Sequence, residues 1–289
     1  MAVQKPHSLH PAVREGLRYV KAPAGEVSLA RFPDFMIVGP QRTGTTWLHE
    51  NLRDHPEIFW PRLKESFYFS RLGEPEHPKF QSDRLDWYLG LFRDPVWLWA
   101  AKNVFSLRLC GRPYRPRVFG EATASYAAMD RELIDEVVAL NPAVRVIIMI
   151  RNPVERAWSH AKKDLVRNVG REFDDVSTQE WQSFFSDGYQ RRCAGYRQNI
   201  ENWTDALLGG HLLVGKFDDI QSRPEDFLLE VMDFLGVSGG ERYFGGSVRE
   251  PVNPTAGGGM PEQHRAYLEN LLADDLTYLR EQYGLSWQK

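Results

Sequence analysis

The chain has few cysteines, no long hydrophobic run and almost no net charge. Its 289 residues include only Cys110 and Cys193, neither spaced with histidines as in a metal site, so we expect free buried thiols. No apolar segment approaches the roughly 20 residues that span a bilayer, and the N-terminus has no hydrophobic signal core, which predicts a cytoplasmic protein. The formal charge of −3 gives no reason to expect nucleic acid or an anionic membrane as a partner.

The chain also lacks the lysine of a nucleotide-triphosphate loop. The apolar run at residues 35–38 (FMIV) leads into residues 39–46 (GPQRTGTT), which have the glycine spacing of the pattern G-x-x-x-x-G-K-[ST] but carry Thr45 at the lysine position. A strand, a glycine-bounded turn and a helix beginning near Trp47 bring free backbone amides and a helix dipole to one point, which favours a phosphate or sulfate. The segment therefore predicts an anion-binding loop.

A second strand is predicted at residues 144–150 (VRVIIMI). It ends in Arg151, where a magnesium-dependent NTPase would carry an aspartate. Asn152 can cap the helix that follows, and Pro153 fits the first turn of that helix. Two such helix starts with cationic ends indicate that protein cations, rather than a metal, bind the phosphates.

At these two segments the chain resembles the sulfotransferases that use 3′-phosphoadenosine 5′-phosphosulfate, particularly the branch of heparan-sulfate sulfotransferases and their bacterial relatives. Residues 41–48 (QRTGTTWL) resemble the family's 5′-phosphosulfate loop, and residues 151–160 (RNPVERAWSH) resemble its 3′-phosphate segment. Residues 64–69 (KESFYF) resemble the segment that supplies the catalytic base, and residues 120–126 (GEATASY) resemble a further active-site segment. The resemblance extends over roughly residues 33–289.

The resemblance implies roles for individual residues. Glu65 would be the general base, and Arg42 would share in catalysis at the position of a family lysine, where it keeps the charge but replaces an ammonium by a planar fork. Arg151 and Ser159 would hold the 3′-phosphate. The loop residues expected to bind the donor are Arg42, Thr43, Gly44, Thr45, Thr46 and Trp47. No metal is expected in the site.

The acceptor is implied only as a hydroxyl-bearing molecule, such as a glycan, a lipid, or a small alcohol or phenol. Ala122 stands where glycosaminoglycan-modifying members commonly have lysine, which weakens the case for a heparan-like acceptor. The resemblance also suggests that Tyr243 or Phe244 lies near the adenine, in a glycine-rich segment that folds over the nucleotide. Aromatic residues between Glu65 and Glu121 are expected in the core, or in part along an acceptor pocket: Trp87, Tyr88, Phe92, Trp97, Trp99 and Phe105.

The order of strand, helix, strand and helix predicts one α/β domain at residues 31–289, preceded by an N-terminal arm at residues 1–30. We expect a P-loop-like parallel sheet with helices on both faces. Both phosphate segments would then lie at the carboxyl ends of strands, where such sheets bind ligands. Further elements are predicted at residues 211–215 (a strand), 224–235 (a helix closed by Gly236) and 261–283 (a helix).

Two other functions remain open on the sequence. A phosphotransferase or NTPase with a divergent loop is disfavoured by the absent lysine and by the absent carboxylate after the second strand. A non-catalytic nucleotide-binding module would bind the same donor without transferring sulfate. Metal dependence separates the first function from a sulfotransferase, and transfer activity separates the second.

Overall fold

The computed structural model describes residues 4–246, 248–250 and 259–287 of the chain. The strands are β1 (Phe35–Gly39), β2 (Ile58–Phe59), β3 (Val118–Ala122), β4 (Arg145–Ile150) and β5 (Leu212–Lys216). They form one sheet in the order β2-β3-β1-β4-β5, and every neighbouring pair is parallel. The predicted parallel sheet is therefore confirmed, and it places the two strands of the phosphate segments, β1 and β4, side by side.

Helices connect and cover the strands. The α-helices of the described residues are α1 (Pro11–Gly16), α2 (Thr45–Leu52), α3 (Leu85–Gly90), α4 (Val96–Cys110), α5 (Arg131–Leu140), α6 (Pro153–Lys162), α7 (Thr178–Ser186), α8 (Gly188–Ala194), α9 (Tyr196–Ala206), α10 (Phe217–Ser222), α11 (Pro224–Leu235), α12 (Glu262–Leu271) and α13 (Ala273–Tyr283). Single turns of 3₁₀ helix lie at Phe69–Arg71, Ala124–Ala128, Phe173–Asp175 and Glu241–Tyr243. Within the described ranges, no helix is both long and apolar enough to cross a bilayer.

The central strands are buried on both faces, and their side chains alternate between two cores. In β1, Met36 and Val38 belong to one core, whereas Phe35 and Ile37 belong to the other. The first core is closed by α5, α9 and α13, and the second by α2 and α11. Helices on both faces, as predicted, explain why β1 and β4 are continuously apolar in sequence.

The strand and helix predicted after residue 210 are confirmed, while the C-terminal helix is only partly right. The helix α11 ends at Leu235, and Gly236 caps it with a left-handed φ of 70°. Residues 261–283 form two helices, because the backbone breaks at Leu272 (φ −115°, ψ 19°). The break lets Leu268 of α12 pack in a third core with α6 and α7, while Leu279 of α13 packs in the first core.

The first 30 residues are tied to the sheet domain by a buried carboxylate. Glu136 on α5 accepts backbone N–H groups of Arg18, Tyr19 (2.6 Å) and Val20 (2.7 Å). Glu136 is only 5% exposed, so its carboxylate has little access to water. Four apolar residues of the segment are buried in the first core: Leu9, Val20, Val27 and Leu29.

We predict that Glu136→Ala lowers the free energy of unfolding by roughly 3 kcal/mol, because it leaves buried N–H groups without an acceptor. Urea denaturation measures this loss. Glu132→Ala is the matched control, since Glu132 lies one turn earlier on α5, is 60% exposed and pairs with Arg18 at the surface. An equal, small effect of both substitutions would contradict the prediction.

Candidate functional site

A cavity of about 1230 Å³ opens at the carboxyl edge of the sheet, where the segments following β1, β4 and β5 meet. Eight residues predicted from the sequence line it: Arg42, Gly44, Thr45, Thr46, Trp47, Glu65, Arg151 and Ser159. Of the predicted set, Thr43 is missing from the lining, because its side chain is fully buried and its hydroxyl donates to the Pro40 carbonyl at 2.6 Å. The structure therefore brings the three sequence segments together in one place.

Glycine is required at both ends of the loop after β1. Gly39 has a φ of 99°, and a Cβ there would lie 2.3 Å from the backbone oxygen of Ala124. Gly44 has a φ of 93° and is the N-cap of α2, and its Cβ would lie 2.4 Å from the Ile220 side chain. At Gly39 the close approach to backbone therefore excludes a side chain, whereas at Gly44 the left-handed φ favours glycine. Arg42, between them, also has a left-handed φ of 72°.

The first turn of α2 presents polar groups to the cavity, and Trp47 fixes this turn to the residues that pack behind it. Thr46 Oγ1 accepts a hydrogen bond from Lys64 Nζ at 2.9 Å. Trp47 is buried, and its indole N–H donates to the Val248 carbonyl at 3.1 Å while its ring stacks on Phe227. Trp47 thus anchors the helix start whose free amides favour an anion.

Arg42 joins the two phosphate segments. Its Nε donates to Ser159 Oγ at 2.9 Å, and its backbone oxygen accepts from Arg151 Nη1 at 2.9 Å. The Arg151 guanidinium also lies 4.3 Å from the centre of the Phe217 ring, a cation–π distance. Asn152 caps α6 as predicted, since its side chain accepts the amides of Val154 and Glu155.

Positive charge accumulates in the cavity wall. Burial lowers the pKa of Arg42, and the nearby charges of Arg151 and Arg167 lower it further. Burial also lowers the pKa of Arg151. The pKa of Lys162 is lowered by burial first and then by Arg42 and Arg151. These cations disfavour one another, so a bound anion would relieve their repulsion.

Glu65 lies at the other side of the cavity in a strained turn. Its φ is 60° and that of Phe67 is 56°, both in the left-handed region that such residues rarely adopt. The Glu65 amide donates to the Ala122 carbonyl at 3.0 Å, and its carboxylate accepts the Ala124 amide at 3.0 Å. Lys64 Nζ lies 3.6 Å from the second carboxylate oxygen. The carboxylate is thus oriented by backbone and stays partly open to the cavity.

Glu121 is buried behind this turn and does not line the cavity. It is fully buried at the end of β3, where burial raises its pKa although several hydroxyl groups donate to it. The donors are Ser66, Tyr88, Thr123 (3.1 Å) and Tyr126 (2.9 Å). Of the predicted active-site segment 120–126, only Ala124 lines the cavity, so the segment supports Glu65 from behind.

Sequence reasoning missed the basic residues at the rim of the cavity: Lys79, Lys162, Lys163, Arg167, Arg223 and Arg249. Lys162, Lys163 and Arg167 follow Ser159 at helical spacing, a signal that could have revealed them. Residues Lys163–Arg167 form one π-helical turn at the end of α6. Such turns recur at functional sites.

The aromatic predictions have mixed outcomes. Tyr243 is buried with its ring 4.8 Å from that of His55, and neither it nor Phe244 lines the cavity, while their contact with adenine stays a prediction. Tyr88 and Phe92 are core residues, as expected, but the exposed fractions of three residues on α4 are large: Trp97 69%, Trp99 42% and Phe105 51%. Residues 251–258 of the glycine-rich segment lie outside the described residues.

We predict that Gly39→Ala destabilises the fold strongly, because the new methyl group would meet backbone atoms of Ala124 that cannot rotate away. The left-handed φ alone costs about 1–2 kcal/mol, and the clash adds to this in urea denaturation. Gly25→Ala is the control, since Gly25 has a φ of 84° with nothing within 4 Å. Equal losses would show that conformation, not the close approach, requires Gly39.

The family model described as the sulfotransferase family matches residues 33–240. The human bifunctional heparan sulfate N-deacetylase/N-sulfotransferase 2 is 26% identical over 226 residues, which cover 74% of this chain but only 23% of that relative. A sulfotransferase structure from Alicyclobacillus acidocaldarius aligns with 88% of this chain and 97% of its own, at 25% identity and a TM-score of 0.58. The sulfotransferase domain of the Synechococcus PCC 7002 olefin synthase shares the fold over both full chains (TM-score 0.50, 18% identity). The predicted fold and family are confirmed, and this chain belongs to the sulfotransferase family.

Proposed function

We propose that this protein transfers a sulfuryl group from 3′-phosphoadenosine 5′-phosphosulfate to a hydroxyl group of an acceptor. The observation that carries the proposal is the direct link between the two phosphate segments, from Arg42 to Ser159 and from Arg151 to the Arg42 carbonyl. A donor with two separate anionic groups matches a cavity in which two cationic segments meet. Membership of the sulfotransferase family supports the same donor.

The two anionic ends of the donor would be held by different parts of the cavity. The amides at the start of α2 and the Arg42 guanidinium suit the 5′-phosphosulfate, because they combine a helix dipole with a fixed charge. Arg151 and Ser159 suit the 3′-phosphate. When bound, the donor supplies the activated sulfuryl group.

In the proposed step, Glu65 accepts the proton of the acceptor hydroxyl as the acceptor oxygen bonds to sulfur. The bond between sulfur and the phosphate oxygen breaks, and that oxygen keeps the electron pair. Arg42 and Lys64 stabilise its growing negative charge, since Lys64 already bonds Thr46 at the loop. A general base placed in this way contributes roughly 10²- to 10⁴-fold in rate.

The acceptor would lie beside Glu65, where Phe67 and Lys79 line the cavity and the Lys79 ammonium lies 4.4 Å from the Phe67 ring centre. An aromatic face next to basic groups suits a sugar or a phenol. The curated relatives are named for N-sulfation of heparan sulfate, so amino groups belong beside hydroxyl groups in an acceptor screen.

Donor recognition is tested by calorimetry with two nucleotides, in EDTA. We expect Arg151→Ala to weaken binding of 3′-phosphoadenosine 5′-phosphate by about tenfold to a hundredfold, because the variant loses a hydrogen bond to the charged 3′-phosphate. Binding of adenosine 5′-monophosphate, which lacks the 3′-phosphate, should change little. Ser159→Ala should show the same selectivity more weakly.

The control for this experiment is Arg223→Ala. Arg223 also lines the cavity, but Asp219 and Glu230 pair with its guanidinium, so binding of both nucleotides should be retained. If Arg151→Ala weakened both nucleotides equally, its role would be to support the Arg42 carbonyl and the assignment would be wrong. If the protein bound ATP only with magnesium and did not bind 3′-phosphoadenosine 5′-phosphate, the phosphotransferase alternative would be favoured.

The general base is tested by Glu65→Gln, with labelled donor and a panel of alcohols, phenols, amines and glycans. We expect transfer to fall by at least about 10²-fold, because the amide cannot take the proton but still accepts the Ala124 amide. Glu155→Gln is the matched control, a lining carboxylate that pairs with Arg265. Nucleotide binding should be unchanged in both variants.

Near-normal transfer by Glu65→Gln would remove Glu65 from the mechanism. Tight donor binding without transfer to any acceptor, in the unmodified protein and the variant alike, would favour a non-catalytic binding module. The two experiments therefore separate the three functions that the sequence leaves open.

A further inference from the structure

The side of α4 that faces the protein carries several polar residues, beside the half-buried Leu98 and the Trp99 ring that packs on Tyr114. Lys102 pairs with Asp94 at 2.6 Å, and the side-chain oxygen of Asn103 accepts the Tyr114 amide at 2.9 Å. The Ser106 hydroxyl donates to the Arg112 carbonyl at 2.7 Å. Only Ser106 and Cys110 are buried among the 15 residues of the helix. Surface helices of globular proteins normally show the reverse arrangement, with the apolar side inward.

The outward side of α4 is apolar. Trp97, Ala101, Val104 and Phe105 follow one another at helical spacing and share this side. The exposed large hydrophobic residues of the helix are Val96 (87%), Trp97 (69%), Trp99 (42%), Val104 (48%), Phe105 (51%), Leu107 (47%) and Leu109 (49%). Arg108 lies on the same side, four residues after Val104, and exposed apolar residues at this density mark a surface that another body covers.

Basic residues flank the apolar side. Residues 92–117 contain six arginines and lysines and a single acidic residue, Asp94, in a chain whose formal charge is −3. Arg93, Arg108 and Arg115 are exposed and make no ion pair with any residue that the structure describes. Positive charge is thus concentrated beside the apolar patch, although the bulk composition is slightly acidic.

This combination decides between two kinds of partner. In a symmetric contact between two copies of the chain, the same basic region would come close to its own copy, so the like charges of Arg93, Arg108 and Arg115 would oppose the contact. An anionic bilayer accepts both features, because apolar side chains enter the acyl boundary while arginines contact lipid phosphates. Tryptophan is also enriched at the membrane interface.

We propose that α4 binds the surface of an anionic lipid bilayer, lying in the interface plane with Trp97 and Phe105 inserted. The proposal goes beyond the proposed sulfate transfer. No α4 residue is among the described residues that line the cavity, so α4 can make this contact without taking part in the cavity wall.

The test is cosedimentation of the full chain with vesicles of phosphatidylcholine alone, or of phosphatidylcholine with phosphatidylglycerol. We expect binding to the anionic vesicles and a drop of at least about tenfold in the partition coefficient for the double variant Trp97→Ser and Phe105→Ser. The matched control is Val169→Ser with Leu208→Ser, two exposed apolar residues elsewhere (58% and 40%), which should bind normally. Circular dichroism checks that each variant is folded.

A second double variant, Arg108→Glu with Arg112→Glu, tests the charge. It should lose at least about tenfold on the anionic vesicles, and the loss should shrink as salt is added. The proposal is overturned if anionic vesicles do not bind, or if the α4 variants bind as well as the control. A dimer that dissociates in the Trp97 and Phe105 variant, without vesicle binding, would instead make α4 an interface between copies.

Discussion

The adjacency of β1 and β4 in the sheet is the constraint on which the site depends. Because the strands are parallel neighbours, the chain leaves both at the same edge, and the residues that follow them must share one space. Arg42 makes two hydrogen bonds in this space. Its guanidinium donates to the Ser159 hydroxyl, and its backbone carbonyl accepts from the Arg151 guanidinium. The cations are therefore concentrated by topology, and burial makes their mutual repulsion significant.

Backbone strain is concentrated at the same edge. The three non-glycine residues with a left-handed φ in the described part of the chain are Arg42, Glu65 and Phe67. Such conformations persist only where surrounding structure holds them. Behind Glu65, this holding structure is the buried Glu121 with its hydroxyl donors, one of which is Ser66, in the same turn. The polar network of β3 thus fixes a loop that its own sequence would not favour.

The sequence predicted what is locally encoded. Continuous apolar runs identified β1 and β4, Gly236 identified the end of α11, and the spacing of Gly39 and Gly44 identified the turn between β1 and α2. The strand β2 was not predicted, because its two residues are too few to show a hydrophobic period. Lys79 escaped because it comes from a segment without a motif and reaches the cavity only through tertiary structure.

The helix α4 shows why the sequence could not predict which of its side chains are buried. Its apolar residues predict burial, but which side of the helix is covered depends on neighbours that are distant in sequence. Here the partners of α4 contact its polar residues, so hydrophobicity alone gave the wrong orientation for Trp97 and Phe105.

The backbone of Ala124 contacts both Glu65 and the loop after β1. The Ala124 amide donates to the Glu65 carboxylate, while the Ala124 carbonyl lies against Gly39 at the start of that loop. The spacing between Glu65 and the loop after β1 is therefore set by main-chain atoms and does not depend on the side chain at position 124. Because Ala124 also lines the cavity, a substitution there would change the cavity wall while both main-chain contacts stay in place.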